Sequence, residues 1–165
     1  MSVSSVWVAA ASAVIMTLLV DGAAAPGAFA QGFPTLLQIS PQGGGHCIEV
    51  PNGDAVPDSG LQMAECNSGA AQMFIYDPAA MQLTIAGLCV DANGGKPGDL
   101  VKLSACAAGA NQSWKSEPKG NFTKLVGGSG LCLDIRYGSK EIGAPVQSWN
   151  CGDSEPNQLW VFQRE

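Results

Sequence analysis

The chain predicts an all-β domain made of three four-stranded units related by a pseudo-three-fold axis. Three observations carry this reading. Cysteines recur in step: Cys47 to Cys66, Cys89 to Cys106 and Cys132 to Cys151 are steps of 19, 17 and 19, and the first cysteines follow one another after 42 and 43 residues. Behind each second cysteine comes a Gln-x-aromatic unit, namely Gln72-Met73-Phe74, Gln112-Ser113-Trp114 and Gln158-Leu159-Trp160. Short runs of alternating hydrophobicity are separated by Gly, Asn, Asp and Pro, and no amphipathic helical period with caps appears. A period of this length decides the fold, because one small sheet cannot bury its apolar face alone and three together can.

The first 30 residues stand apart. Val6 to Val20 is an apolar run broken only by Ser12 and Thr17, and Ala28-Phe29-Ala30 offers an A-x-A cleavage site before Gln31. The segment reads as a secretory signal, although it has no Lys or Arg ahead of the apolar run. Fifteen residues are short for a membrane span of about 20. Residues 31–165 are therefore expected to form the single mature domain, with repeats at about 36–79, 80–122 and 123–165, secreted to the extracellular space.

Within the repeats the elements follow one order. Leu36 to Ser40, Met81 to Ile85 and Thr123 to Val126 read as first strands. The second strands carry the first cysteine and an acid two residues on: Cys47-Ile48-Glu49, Cys89-Val90-Asp91 and Cys132-Leu133-Asp134. Turns such as Pro51-Asn52-Gly53-Asp54 and Asn93-Gly94-Gly95-Lys96-Pro97-Gly98 follow. Third strands lead to the second cysteine, and the fourth continue from the Gln-x-aromatic units. Phe74, Trp114 and Trp160 occupy equivalent core positions, and the Gln two residues earlier is placed to bond backbone at the turn.

All six cysteines lie in the mature part. The repeat selects the pairing Cys47–Cys66, Cys89–Cys106 and Cys132–Cys151, because each copy must obey the same geometry, and this suits an oxidising compartment. Each closed loop contributes on the order of 3 kcal/mol by chain entropy. A zinc site does not fit, since no close cysteine pair exists and His46 is the lone histidine. No cofactor or metal is called for.

Charge narrows the partners. Eight Lys and Arg stand against 14 Asp and Glu, a formal net charge of −6. Nucleic acid and anionic membranes both need a basic footprint and are not expected partners.

With the three Gln-x-aromatic units and in-step cysteines, the mature chain from about residue 36 to 163 resembles the ricin-type (Q-x-W) β-trefoil lectin family. Gln72-Met73-Phe74 departs from the pattern, with Phe for Trp. The resemblance implies a twelve-stranded trefoil and reversible sugar binding in shallow pockets, up to one per repeat, with glycans or glycoproteins as partners. The family pocket uses an acid after the first cysteine, a polar residue and an aromatic before the second, and Asn beside the Gln. The third repeat supplies Asp134, Gln147, Trp149, Asn157 and Gln158. An ionised Asp can accept two hydrogen bonds from neighbouring sugar hydroxyls, Trp149 offers a flat face to a pyranose, and the amides bring donors and acceptors. Tyr137, in the turn after Asp134, is a candidate for one more aromatic contact.

The other repeats are degenerate. The second keeps Asp91, Asn111 and Gln112 but has Ser104 where the aromatic belongs and Lys102 for the Gln. The first has Glu49, Ala64 and Ala71 in place of Asp, aromatic and Asn. Asn111-Gln112-Ser113 and Asn121-Phe122-Thr123 are N-glycosylation sequons. An enzyme is not expected. No carboxylate pair falls outside the repeat pattern, and His46, beside a disulfide cysteine, is the only histidine for a nucleophilic centre. The resemblance leaves galactose or N-acetylgalactosamine as the expected sugars. The competing expectation is a secreted trefoil that has lost sugar binding and acts as an inhibitor or surface-interaction protein.

Overall fold

The computed structural model describes residues 34–164. The signal segment read at 1–30 lies outside the described residues. Twelve strands are found among the described residues, four in each repeat. The first repeat holds β1 (Thr35–Pro41), β2 (His46–Glu49), β3 (Gln62–Glu65) and β4 (Phe74–Asp77). The second holds β5 (Gln82–Ile85), β6 (Leu88–Asp91), β7 (Lys102–Ser104) and β8 (Trp114–Lys119). The third holds β9 (Phe122–Gly127), β10 (Leu131–Ile135), β11 (Val146–Asn150) and β12 (Trp160–Arg164).

The first and fourth strands of the repeats form a closed ring. β1 pairs with β12 and with β4, β4 with β5, β8 with β9, and β9 with β12. Between β5 and β8 the link is the Trp114 N–H donated to the Met81 carbonyl at 2.6 Å. Tyr76 helps at that seam, since its hydroxyl donates to the Trp114 carbonyl and accepts from the Ser116 N–H, each at 3.0 Å. Closure leaves these strands without a free edge.

The second and third strands pair as hairpins β2–β3, β6–β7 and β10–β11. The hairpins brace one another across repeats. Met63 N–H donates to Ala144 O at 2.9 Å, Val146 N–H to Leu61 O at 2.9 Å, and Val101 N–H to Val146 O at 3.1 Å. The three disulfides form within repeats, as the cysteine register requires.

Phe74, Trp114 and Trp160 are fully buried in one apolar cluster with Leu37, Ile39, Leu83, Leu125 and Leu133. The Trp114 indole N–H donates to Val90 O at 2.8 Å, and that of Trp160 to Leu133 O at 3.2 Å. Phe74 is buried at the equivalent position with no such donor. The first strand of the second repeat begins one residue later than expected. Met81 adopts φ 54° and belongs to the turn that feeds β5. Among the described residues, helical structure is confined to single 3₁₀ turns, three of which end on Gln72, Gln112 and Gln158.

A contact with no sequence signature recurs beside these turns. The carbonyl just after each second cysteine accepts a bond from a long side chain of the repeat's first strand. Gln38 reaches Asn67 O, Gln82 reaches Ala107 O at 3.5 Å, and Lys124 reaches Gly152 O. In the third repeat this puts a lysine at 3 % exposure beneath the loop.

The indole bonds give a stability prediction. Trp114→Phe keeps a ring that the Phe74 position already accepts but strands the Val90 carbonyl in the core. It should cost about 1–3 kcal/mol, read from the denaturant midpoint at unchanged slope.

Candidate functional site

The β10–β11 hairpin builds the site from its register. Asp134 stands opposite Gln147 and Cys132 opposite Trp149. Side chains alternate along a strand, so these four share one face of the hairpin. Behind it the 3₁₀ turn Pro156–Gln158 brings up Asn157 and Gln158, with Pro156 at the first position, where its missing N–H is not needed.

Asp134 is 1 % exposed, and three amides hold its carboxylate. Gln147 Nε2 donates to Oδ1 at 2.8 Å, while Asn157 Nδ2 at 2.5 Å and Gln158 Nε2 at 2.9 Å donate to Oδ2. A carboxylate has about four acceptor positions. One is left, on Oδ1, so the expectation of two sugar hydroxyls on this carboxylate narrows to one unless an amide yields.

Gln158 is a support. Its amide also donates to Asn150 O at 2.9 Å and its carbonyl accepts the Gly152 N–H at 2.9 Å, so both ends are occupied. Gln147 is buried, and Asn157 is half-buried at the rim.

Trp149 is 43 % exposed, outside the core cluster. It borders a cleft of about 950 Å³ that also takes in Asp134, Gln147, Asn157, Gln158 and Tyr137. Its support comes from another repeat. Gly98 N–H donates to Ser148 O at 2.7 Å and Ser148 N–H to Asp99 O at 2.9 Å, laying the Pro97–Asp99 turn beside the indole. A Cβ on Gly98 would stand 3.4 Å from the indole Cζ3, at a backbone φ of +91°. The left-handed backbone favours glycine there, while the indole lies at ordinary contact distance from where a Cβ would stand. Sequence reasoning missed this partner, which lies about 50 residues from Trp149 and in a different repeat.

The second repeat uses its acid differently. Asp91 Oδ2 accepts from Ser104 Oγ at 2.8 Å and Gln112 Nε2 at 2.9 Å, and Oδ1 from the Asn93 N–H at 2.7 Å. Asn111 turns away to the Asn93 carbonyl, and Lys102 pairs with Asp58 at 2.7 Å. Neither meets Asp91 as Asn157 and Gln147 meet Asp134. In the first repeat Glu49 still accepts from Gln72 Nε2 at 2.9 Å, so the longer acid keeps the glutamine contact. What that repeat lacks is the aromatic and the Asn, both replaced by Ala. Asn121 lies exposed in the turn between β8 and β9, whereas the Asn111 amide is engaged.

The two aspartates are tuned in opposite directions. Burial raises the Asp134 pKa above the ordinary carboxylate value; the Gln147 and Gln158 amides oppose it, Glu155 adds to it by charge, and Asn157 opposes it. For Asp91, burial also pushes upward, but Gln112, Ser104, the Asn93 N–H and the Lys102 charge together hold the pKa below the ordinary value. The linkage signs follow. The stability that Asp91 adds is present above the unfolded carboxylate pKa and lost as pH falls through its lower folded value. The contribution of Asp134 is present below the unfolded pKa and lost as pH rises through its higher folded value.

A closed ring of three four-stranded repeats defines a trefoil, and its third repeat gathers an acid, an amide cluster and a half-exposed indole around one surface cleft. Residues 35–160 match the family described as ricin-type beta-trefoil lectin domain, and the chain belongs to that family. A 51-residue stretch is 41 % identical to Beta-galactoside-specific lectin 2 of Viscum album, covering 30 % of this chain and 8 % of that protein. Among solved structures, the designed three-fold symmetric protein ThreeFoil superposes with a TM-score of 0.73 at 22 % identity, covering 79 % of this chain and 99 % of that one. The C-half of the earthworm R-type lectin, solved in complex with GalNAc, gives 0.67 at 16 % identity, covering 79 % and 99 %. At these identities the two structures speak for the fold alone.

The opposed tuning is directly measurable. Carboxyl NMR titration should place the Asp134 midpoint above that of Asp91, and Asp134→Ala should remove only the higher one.

Proposed function

We propose that this chain is a secreted lectin module that binds glycans reversibly through its third repeat and catalyses no reaction. The observation that carries this is the placement of a buried, amide-held carboxylate beside a half-exposed indole in an open cleft. A charged acceptor fixes the direction of a sugar hydroxyl, and the indole face covers the C–H side of the ring. The carbonyl oxygens of Asn157 and Gln147 can take further hydroxyls. Galactose and N-acetylgalactosamine are the sugars we propose, a choice supported by family membership and by the beta-galactoside-specific name of one relative. Extracellular action is supported by three disulfides and by the signal-like segment at 1–30.

Asymmetry among the repeats sets the valency. A single sugar offers about a dozen atoms at about 0.3–0.5 kcal/mol each, or about 4–6 kcal/mol. That is a dissociation constant on the order of 0.1–1 mM. Such affinity is useful on dense glycan surfaces, where several copies engage together.

Titration calorimetry with simple sugars, beside gel filtration, should find a stoichiometry near one per chain. Trp149→Ala should abolish binding while changing stability by no more than about 0.5 kcal/mol, as for other surface sites. Asp134→Asn should also abolish it, because the new amide faces three donors. Asp91→Asn should leave affinity near wild type. Two or three equivalent sites, or loss of binding in Asp91→Asn, would assign the activity to another repeat.

A further inference from the structure

The turn after each repeat acid contains one non-glycine residue in the left-handed region. Repeats one and two place asparagine there, Asn52 at φ 59° and Asn93 at φ 60°. Asparagine is among the residues that tolerate this backbone best, whereas for a bulky side chain it is an outlier. The third repeat places Tyr137 at φ 59°, in the turn Arg136–Gly138. Nothing in the core repays that choice, for Tyr137 is 88 % exposed. One of its faces is covered by the Arg136 guanidinium, 5.1 Å from the ring centre. The other is presented to solvent.

Tyr137 borders the same cleft as Trp149, at a different part of its rim. Trp149 stands beside Gly98, while the Tyr137–Gly138 turn sits against Asn157, whose side-chain carbon lies 3.8 Å from a Cβ built on Gly138. The cleft therefore has two aromatic platforms, with the buried carboxylate among its lining residues. Its volume of about 950 Å³ lies at the top of the range of about 300–1,000 Å³ that encloses ligands much larger than one sugar ring. Its charged side chains are Asp99, Asp134 and Glu155 against Arg136. That balance favours neutral sugars over anionic ones.

We infer that the third-repeat site takes a neutral oligosaccharide of at least two pyranoses, one against Trp149 and Asp134 and the next against the open face of Tyr137. This deepens the lectin reading and rests on it. A strained, exposed aromatic at a position where the sister repeats use asparagine follows the usual pattern of strain held at a functional site.

The test uses the mature chain on an array of neutral and acidic glycans, then calorimetry with the best oligosaccharide and its terminal monosaccharide. Wild type should bind the oligosaccharide at least about tenfold more tightly, equivalent to 1.4 kcal/mol. Tyr137→Asn, which installs the sister-repeat residue, should melt no lower than wild type yet cut that advantage to about twofold or less. Tyr137→Phe should retain most of it. An equal advantage in wild type and Tyr137→Asn, no advantage in wild type, or a preference for acidic glycans would overturn the inference while leaving sugar binding standing. If wild type retained no glycan, or Trp149→Ala bound as wild type does, the lectin reading would fall and take this inference with it.

Discussion

A buried glutamine side chain in each repeat ties together three pieces of chain that are far apart in sequence. The carbonyls of Gln72, Gln112 and Gln158 accept the N–H just after the second cysteine, at 2.8, 2.7 and 2.9 Å. Their amides donate to the carbonyl just before that cysteine and to the acid of the second strand. The disulfide holds the same two strands covalently. One side chain thus fixes the loop, the hairpin and the direction of the carboxylate at once. Burying such an amide is tolerable because its donors and acceptor are satisfied.

The consequence is that scaffold and site separate cleanly. The glutamine bond to the acid survives in all three repeats, even with Glu49 in the first. What differs is the ring of residues around that bond. Where the register partner is Gln147 and the rim residue Asn157, both side-chain amides donate to the carboxylate. Where they are Lys102 and Asn111, the first is drawn to Asp58 and the second to the backbone of Asn93. A few side chains around that bond distinguish three similar frames, and in the third they border the cleft with Trp149.

Most of the frame was legible because it is written in periodic residue types that chemistry restricts. Cysteine pairing, the acid two residues on and the Gln-x-aromatic unit each need one kind of side chain. Trp149 was legible because it fell outside the Gln-x-aromatic set on an alternating strand. Other features were not. The clamp by Gln38, Gln82 and Lys124 uses different residue types at 9, 7 and 8 positions before the first cysteine, so no motif marks it. Gly98 looked like one more turn glycine, and its contact with Trp149 depends on how two repeats meet. The left-handed residue had a signal that went unread: Asn52-Gly53, Asn93-Gly94 and Tyr137-Gly138 each place it just before a glycine, 3, 2 and 3 residues after the acid of the repeat. The crowding around Asp134 was invisible because it depends on distances among four side chains.

Closure of the ring has a further meaning. β1 lies antiparallel to β12, with Leu37 opposite Arg164 and Pro41 opposite Trp160. The two ends of the described stretch are therefore neighbours, and the order in which the chain visits its three repeats is a matter of where it is cut. Joining those ends by a short linker and opening the exposed Gly120–Asn121 turn would move the third repeat to the front, with every strand ladder kept and only the covalent turn between β8 and β9 lost. The sugar-binding frame is indifferent to chain order in a way that a pocket shared along one continuous strand could not be. Rearrangement by permutation, rather than residue-by-residue change, is a route by which such a domain can present its third-repeat cleft from a new point of attachment.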